Sequence, residues 1–425
     1  MRQTDGQPIF RQNLINFAGT AIVGLIGYLY LLSSGRLLGP SHYAVVAAMF
    51  SVYYLLTVPS LSLITVAARY TAALESRQEL AQLHDVLGQL NVAVLFVSGI
   101  GTALYVGASV PLGAFLQVPR AAVLALSPAV FLLLFVSLNR GILQGQQRFV
   151  WLSSLQVLEV AVRLTAAVVL ILAGFEAAGA LSALGIALAV SFLVSLLPLR
   201  SIARVPKRLH VDIAALATLT LPTVGAIACV TLLYNVDILL VNHLFDSHTA
   251  GIYSSVATMS RVVFLLTASI TAVMVPRIAV LESSGQSSIR VVGASVLGVM
   301  VVALGFVVAF LVFPTTLIFA LGPRFSDGVQ YLPVFALSMG CLSVANLLVN
   351  YFLVLRDYRF LPLLVAAAVA ECLLIWTYHG DLWSVVIVVL AVIAVATGGL
   401  SLLLWARAVK EANQKRLDSL SELLR

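Results

Sequence analysis

Five charged residues fall inside apolar runs of the chain, and their types and spacing limit the chemistry they could do. Glu159 and Arg163 stand four residues apart, acid first, the order in which a helical pair attracts best. They could neutralise each other, or form a polar stripe along a path through the membrane. Asp237 follows Asn235 in the run N-V-D-I-L-L, while Arg261 and Glu371 stand alone in theirs. Each such charge costs at least about 2.5 to 3.5 kcal/mol at the centre of a bilayer unless it is paired or wetted. Glu159, Asp237 and Glu371 are therefore candidates to take up a proton or a sodium ion. Arg261 needs an anion, either a substrate phosphate or a carboxylate across a cavity. Asp237 lies near the outer end of its run and Arg261 near the middle of the next, about 9 Å apart in depth at 1.5 Å per helical residue, so they are not expected to pair.

The elements that position these residues follow from composition. Apolar residues make up 61% of the 425-residue chain and charged residues 10%, with a mean hydropathy of +1.07. A soluble domain is about 25% charged, so the chain belongs in lipid. A helix needs roughly 20 apolar residues to cross the hydrocarbon. Twelve candidates are centred near residues 24, 54, 98, 131, 161, 189, 229, 262, 303, 343, 369 and 394. With the N-terminus inside, nineteen of the 24 Lys and Arg fall on the cytoplasmic side and three outside, namely Arg36, Arg120 and Arg324; Arg163 and Arg261 lie within spans. That bias sets orientation. It predicts a multi-pass protein of the cell's inner (cytoplasmic) membrane with both termini in the cytoplasm. The net charge of +7 then reports topology, and no nucleic-acid partner is expected. The first apolar stretch is too long for a signal-peptide core and is expected to remain as the first helix.

The chain is also written twice. Q-G-Q-Q-R-F ending at Phe149 matches L-R-D-Y-R-F ending at Phe360, 211 positions on, and the segment around Tyr43 matches that around Tyr253, 210 positions on. Glu371 falls one position from the repeat equivalent of Glu159. Six spans per copy is an even number, so both copies enter the membrane in the same direction, and internal repeats of this kind are the mark of transporters. The fold expected is an all-α polytopic membrane protein, about 12 transmembrane helices in two parallel-repeat six-helix lobes around a central cavity. Its parts are an N-lobe over 1–199, a basic cytoplasmic linker over 200–212, a C-lobe over 213–408 and an amphipathic tail over 409–425. Leu80, Leu83, Leu87 and Leu90, like Leu417, Leu420 and Leu424, recur at helical spacing and read either as interfacial helices or as solvated connectors.

Other chemistry finds no footing in the sequence. No lysine sits in a phosphate-cradling glycine loop, and there is no H-E-x-x-H or paired-cysteine motif, so neither metal nor cofactor is expected. Cys229, Cys341 and Cys372 read as small core residues. Outer loops of about a dozen residues leave little room for an external catalytic site, and the chain is not expected to be an enzyme. His42, His243, His248 and His379 fall at or near outer span ends, where Tyr43 and Tyr253 are expected as interfacial anchors. Arg148 and Arg359 are expected to fix cytoplasmic corners by binding backbone carbonyls or headgroups. Pro222, Pro276 and Pro362 are expected at helix starts and ends, and Pro59 could kink the second span.

The run from Asn235, N-V-D-I-L-L-V-N-H-L-F-D-S-H-T-A-G-I-Y-S-S-V, with V-M-V-P-R-I at Pro276-Arg277 and L-Q-G-Q-Q-R-F before V-L-E-V, resembles polysaccharide-biosynthesis flippases of the multidrug/oligosaccharidyl-lipid/polysaccharide exporter superfamily. The resemblance extends over essentially the whole chain in span count, loop lengths and lobe division. It implies a protein that moves a lipid-linked oligosaccharide, of polyprenyl-diphosphate type, across the bilayer by alternating access. Membrane lipids surround it, and a polysaccharide polymerase and glycosyltransferases would be its partners. On that reading Arg261 is the first candidate to hold the diphosphate, followed by Arg163, Arg36 and Arg69. Asn235, Tyr234, Asn346 and Asn350 would hydrogen-bond sugar hydroxyls. The chain departs from the most cationic flippases in having two intramembrane Arg against Glu159, Asp237 and Glu371. That leaves open a neutral or cationic cargo, or H+ or Na+ coupling through a carboxylate. The alternatives are an ion-coupled multidrug or toxin antiporter of the same fold and a non-transporting membrane subunit of a polysaccharide synthase.

Overall fold

A backbone in hydrocarbon has no water to satisfy its N–H and C=O groups, so an apolar chain of this length closes them within helices. The computed structural model describes residues 6–76, 80–199 and 213–423, and every described element is helical. The expected linker over 200–212 lies outside the described residues.

In chain order come α1 (Gly6–Leu38), α2 (Pro40–Ser76), α3 (Leu80–Gly107), the short α4 (Ser109–Leu116) and α5 (Arg120–Ala125), α6 (Ser127–Gly145), α7 (Phe149–Leu170) and α8 (Glu176–Leu199). Then follow α9 (Ile213–Leu244), α10 (Ser247–Ser283), α11 (Ile289–Val312), the short α12 (Thr316–Leu321), α13 (Leu332–Val354), α14 (Leu361–Thr377) and α15 (Leu382–Leu423). Every expected span centre falls in one of the twelve long helices among them. The apolar stretch Phe149–Leu199 is two of these spans, α7 and α8. Gly174 at φ 90° and Glu176 at φ 47° break it, and α7 and α8 pack against each other. A glycine is needed there because a side chain rarely takes that φ.

The chain divides into two compact units, Met1–Val224 with Phe245–Gly251, and Gly225–Leu244 with Ile252–Arg425. In the first, α1 packs on α7, and α6 packs on α2, α3 and α8. Gly141 and Gly145 of α6 meet the backbone of α2: an added Cβ would stand 2.7 Å from Ile64 O and 2.6 Å from Ala68 O. Small residues four apart let two helices approach this closely in a membrane. Leu87 and Leu90 are buried in the core of this unit with Leu138, Ile142 and Leu199. They are therefore not interfacial, because α3 starts at Leu80 and carries them directly against α6. In the second unit α13 packs on α11 and α15, and α14 packs on α15. Residues 409–423 continue α15 without a break.

The two R-F corners differ in length. Three residues join α6 to α7 and six join α13 to α14. In both, the second residue is left-handed, Gln147 (φ 57°) or Arg356 (φ 54°). The next N–H then reaches back five residues, Arg148 to Leu143 O at 2.9 Å and Asp357 to Phe352 O at 3.1 Å, as in a Schellman cap. Pro222 and Pro276 sit inside α9 and α10 and not at helix ends, while Pro362 occupies the first turn of α14.

Candidate functional site

In the first unit the four-residue spacing of Glu159 and Arg163 does not make them partners. Glu159 Oε2 accepts a bond from Arg140 Nη2 at 2.5 Å, with side chains 9% and 21% exposed. Depth explains the choice. Glu159 lies eleven residues past Arg148 and Arg140 eight before it, about 4.5 Å apart in depth at 1.5 Å per residue. Helical side chains lean toward the N-terminus, which brings the carboxylate back to the level of Arg140. Arg163 instead lays its guanidinium over the Tyr30 ring at 5.1 Å and the Phe50 ring at 5.8 Å, a cation–π arrangement. Gly27 makes room for it: a Cβ there would stand 3.2 Å from Arg163 Nη2. Tyr30 donates to Ala180 O at 2.9 Å, and buried Tyr53 lies within electrostatic reach of Glu159, Arg140 and Arg163.

The second unit gathers Tyr234, Asn235 and Asp237 of α9, Tyr253 and Arg261 of α10, and Glu371 of α14. Arg261 Nη2 donates to Tyr234 O at 2.5 Å and lies 3.5 Å from Asn235 Oδ1. Its guanidinium sits 4.2 Å from the Tyr234 ring centroid. Asn235 is fully buried and donates to Thr231 O at 2.9 Å. Asp237 forms no ion pair with Arg261; its Oδ2 accepts a bond from Tyr253 at 2.9 Å. Glu371 is fully buried and lies within electrostatic reach of Asp237. Neither Glu371 oxygen has a hydrogen-bond partner, nor does Asp237 Oδ1, nor the Nε of Arg163 or Arg261. The arrangement offers, beside the charges just described, the Arg163 guanidinium of the first unit and the Arg261 guanidinium of the second resting on aromatic rings without a carboxylate at ion-pair distance among the described residues, and, in the second unit, carboxyl oxygens without donors.

Counted from the residue that caps each helix, Arg148 for α7 and Phe360 for α14, Glu159 and Glu371 both come eleven positions later. The one-position slip in the sequence repeat arises because α7 begins at Phe149 of its R-F pair, whereas α14 begins one residue after Phe360. Other expected site residues stand apart. Arg36, in the last turn of α1, and Arg69 of α2 are exposed and make no ion pair among the described residues. Asn346 and Asn350 bond to each other on α13, Nδ2 of Asn350 reaching Asn346 O at 2.8 Å. Tyr43 and Tyr253 are 0% and 1% exposed, so they are core residues and not interfacial anchors. Tyr253 packs on Phe335 and spends its hydroxyl on Asp237.

His42 pairs with Glu176 at 3.5 Å and His243 stacks on Trp376. Arg148 donates to Pro198 O at 2.9 Å, as a corner arginine should, whereas Arg359 is 85% exposed and reaches only Asp357. Sequence reasoning missed Arg140, which positive-inside counting assigned to the cytoplasm. Its place two helical turns before Arg148, within the span, was the signal.

No curated protein sequence matches the chain. Among solved structures, an inward-facing multidrug resistance MATE family transporter of the MOP superfamily superposes with a TM-score of 0.81 at 14% identity, over 95% of this chain and 99% of that one. An outward-facing MATE family transporter gives 0.67 at 14% identity, over 98% and 100%. The lipid II flippase MurJ in an inward closed conformation gives 0.70 at 12% identity, over 93% and 87%. At these identities the likeness establishes the fold alone, that of a multi-pass membrane protein. A family model described as polysaccharide biosynthesis protein matches residues 9–282. The chain belongs to the polysaccharide biosynthesis protein family.

Proposed function

We propose that the protein flips a lipid-linked oligosaccharide across the cytoplasmic membrane by alternating access, with both termini in the cytoplasm and six-helix lobes bounded near residues 199 and 213. The observation that carries this reading is that two of the intramembrane arginines have no carboxylate partner among the described residues. Arg163 and Arg261 lie one in each unit, each over an aromatic ring, and neither has a carboxylate at ion-pair distance among the described residues. A guanidinium held this way can receive a phosphate, for which its forked donors are suited. Lipid-linked sugars have a polar head that cannot cross hydrocarbon and a tail that need not leave it, so a wetted path for the head suffices. Family membership and the fold shared with a lipid II flippase support this cargo class. A polysaccharide polymerase and glycosyltransferases would act on either side of the step.

A second reading has its own support. The partnerless oxygens of Glu371 and Asp237 suit a proton or sodium ion. They would couple the flipping cycle or, in an antiporter of the same fold, drive export of a cationic compound. Deletion of the gene in its host separates the two. Flipping predicts loss of surface polymer with lipid-linked repeat units trapped on the cytoplasmic face, restored by the wild type. Unchanged polymer with new sensitivity to cationic dyes would replace this reading by the antiporter.

A further inference from the structure

The end of the second unit where α13 turns into α14 holds a cavity of about 670 Å³. Four cations line it, Arg356, Arg359, Arg407 and Lys410, against the carboxylates of Asp357 and Glu411. Both carboxylates are engaged. Glu411 accepts from Arg407 Nε at 3.0 Å and from Ser287 Oγ at 2.7 Å, and Arg407 also reaches Glu282 at 3.3 Å. Asp357 accepts from the Arg359 backbone N–H at 3.3 Å and lies 3.8 Å from Arg359 Nε. Arg356 and Lys410, both exposed, have no carboxylate at ion-pair distance among the described residues. The cavity therefore keeps an excess of positive charge.

Phe360, which walls this cavity, leads directly into a shallow, open apolar groove along the exposed face of α14. Pro362, Val365, Ala366, Val369, Ala370 and Leu373 line it, on the face opposite buried Leu364, Ala368 and Glu371. From Leu361 to Leu373 the groove runs about 18 Å at 1.5 Å per residue. That is about the depth of one leaflet, half of a hydrocarbon core roughly 30 Å thick.

We propose that cavity and groove together bind one anionic phospholipid of the surrounding leaflet, its phosphate among Arg356, Arg359 and Lys410 and one acyl chain along α14. The groove's length fits an ordinary acyl chain. The site is independent of the cargo proposed above, since it needs only the membrane and the second unit.

The test is thermal unfolding of the purified full chain in detergent as phosphatidylglycerol or phosphatidylcholine of the same chains is titrated in. Phosphatidylglycerol should raise the midpoint at lower concentration than phosphatidylcholine. Arg356→Ala with Lys410→Ala should weaken its apparent affinity about ten-fold or more, two cations being lost from an anionic headgroup, with the lipid-free midpoint unchanged. Ala366→Trp should lower the response by filling the groove, and glycerol phosphate, without chains, should give no shift. If the double variant does not purify, Arg359→Gln gives the same readout at a side chain 85% exposed. Equal stabilisation by the two phospholipids, an unaltered response in the variants, or a full effect of glycerol phosphate would overturn the proposal. So would displacement of phosphatidylglycerol by equimolar polyprenyl phosphate.

Discussion

A carboxylate inside a membrane protein needs a partner at its own depth, and Glu159 finds one in Arg140, nineteen residues earlier on another helix. Removing one member of a nearly buried pair leaves the other uncompensated, at a cost of about 3–5 kcal/mol, whereas replacing both by apolar residues is often neutral. Glu159→Leu should therefore lower the unfolding midpoint of the purified protein sharply, and Arg140→Met in the same chain should recover most of the loss. Equal midpoints for single and double variants would rule the pair out as a structural unit. A stable double variant without transport would in turn assign the pair a part in the transport cycle. Outside the spans, Asp246 caps α10 by accepting from the backbone N–H groups of His248 at 3.0 Å and Thr249 at 3.1 Å. Hydrogen bonds from Thr249, through its side chain first, hold this carboxyl below the usual range. Asp246→Ala should cost about 1 kcal/mol, the usual value of an N-cap. Because the folded value is the lower one, that stabilisation is complete above the ordinary carboxylate value of about 3.9. It is lost as pH falls through the folded value. The stability gap between wild type and Asp246→Ala, followed by urea unfolding, should be constant near neutrality and close in acid.

At the scale of the element, two helices are held together by missing side chains. Gly141 and Gly145 put α6 against the backbone of α2, so Gly145→Val should cost at least about 1–3 kcal/mol of overpacking and lower the yield of monodisperse protein. Gly305 of α11, where an added Cβ would meet nothing within 4 Å, is the control: Gly305→Ala should be neutral or slightly stabilising. A normal yield from Gly145→Val would contradict the close approach. The helices themselves were legible from hydropathy, because hydrocarbon permits few other backbones and span length is fixed by its thickness. Interhelical choices were less so. The repeat offset placed Glu371 one position from the equivalent of Glu159, since α7 starts at the Phe of its R-F pair and α14 one residue after it. Spacing paired Glu159 with Arg163, but only the packed helices show which cation shares the depth of the carboxylate. Tyr253 read as an anchor because its run ends nearby, while its hydroxyl in fact serves Asp237.

At the scale of the whole molecule, a chain with 61% apolar residues carries its intramembrane charges at a cost, and the account rests on what those charges are for. Arg140 and Glu159 neutralise each other, whereas Arg163 and Arg261 lie over aromatic rings with no carboxylate at ion-pair distance among the described residues. A hydrogen bond to a charged group contributes about 1.5–3 kcal/mol, or roughly ten-fold and upward in rate if it is made only as the head passes. The most direct measurement is flipping by the purified protein in vesicles containing a polyprenyl-diphosphate oligosaccharide. Transfer is read as the appearance of the sugar to a reagent that cannot cross the bilayer. The account predicts transfer faster than in protein-free vesicles, slowed about ten-fold or more by Arg261→Ala in protein that still purifies as a single species. Wild-type vesicles no faster than empty ones, or Arg261→Ala as fast as the wild type, would contradict it.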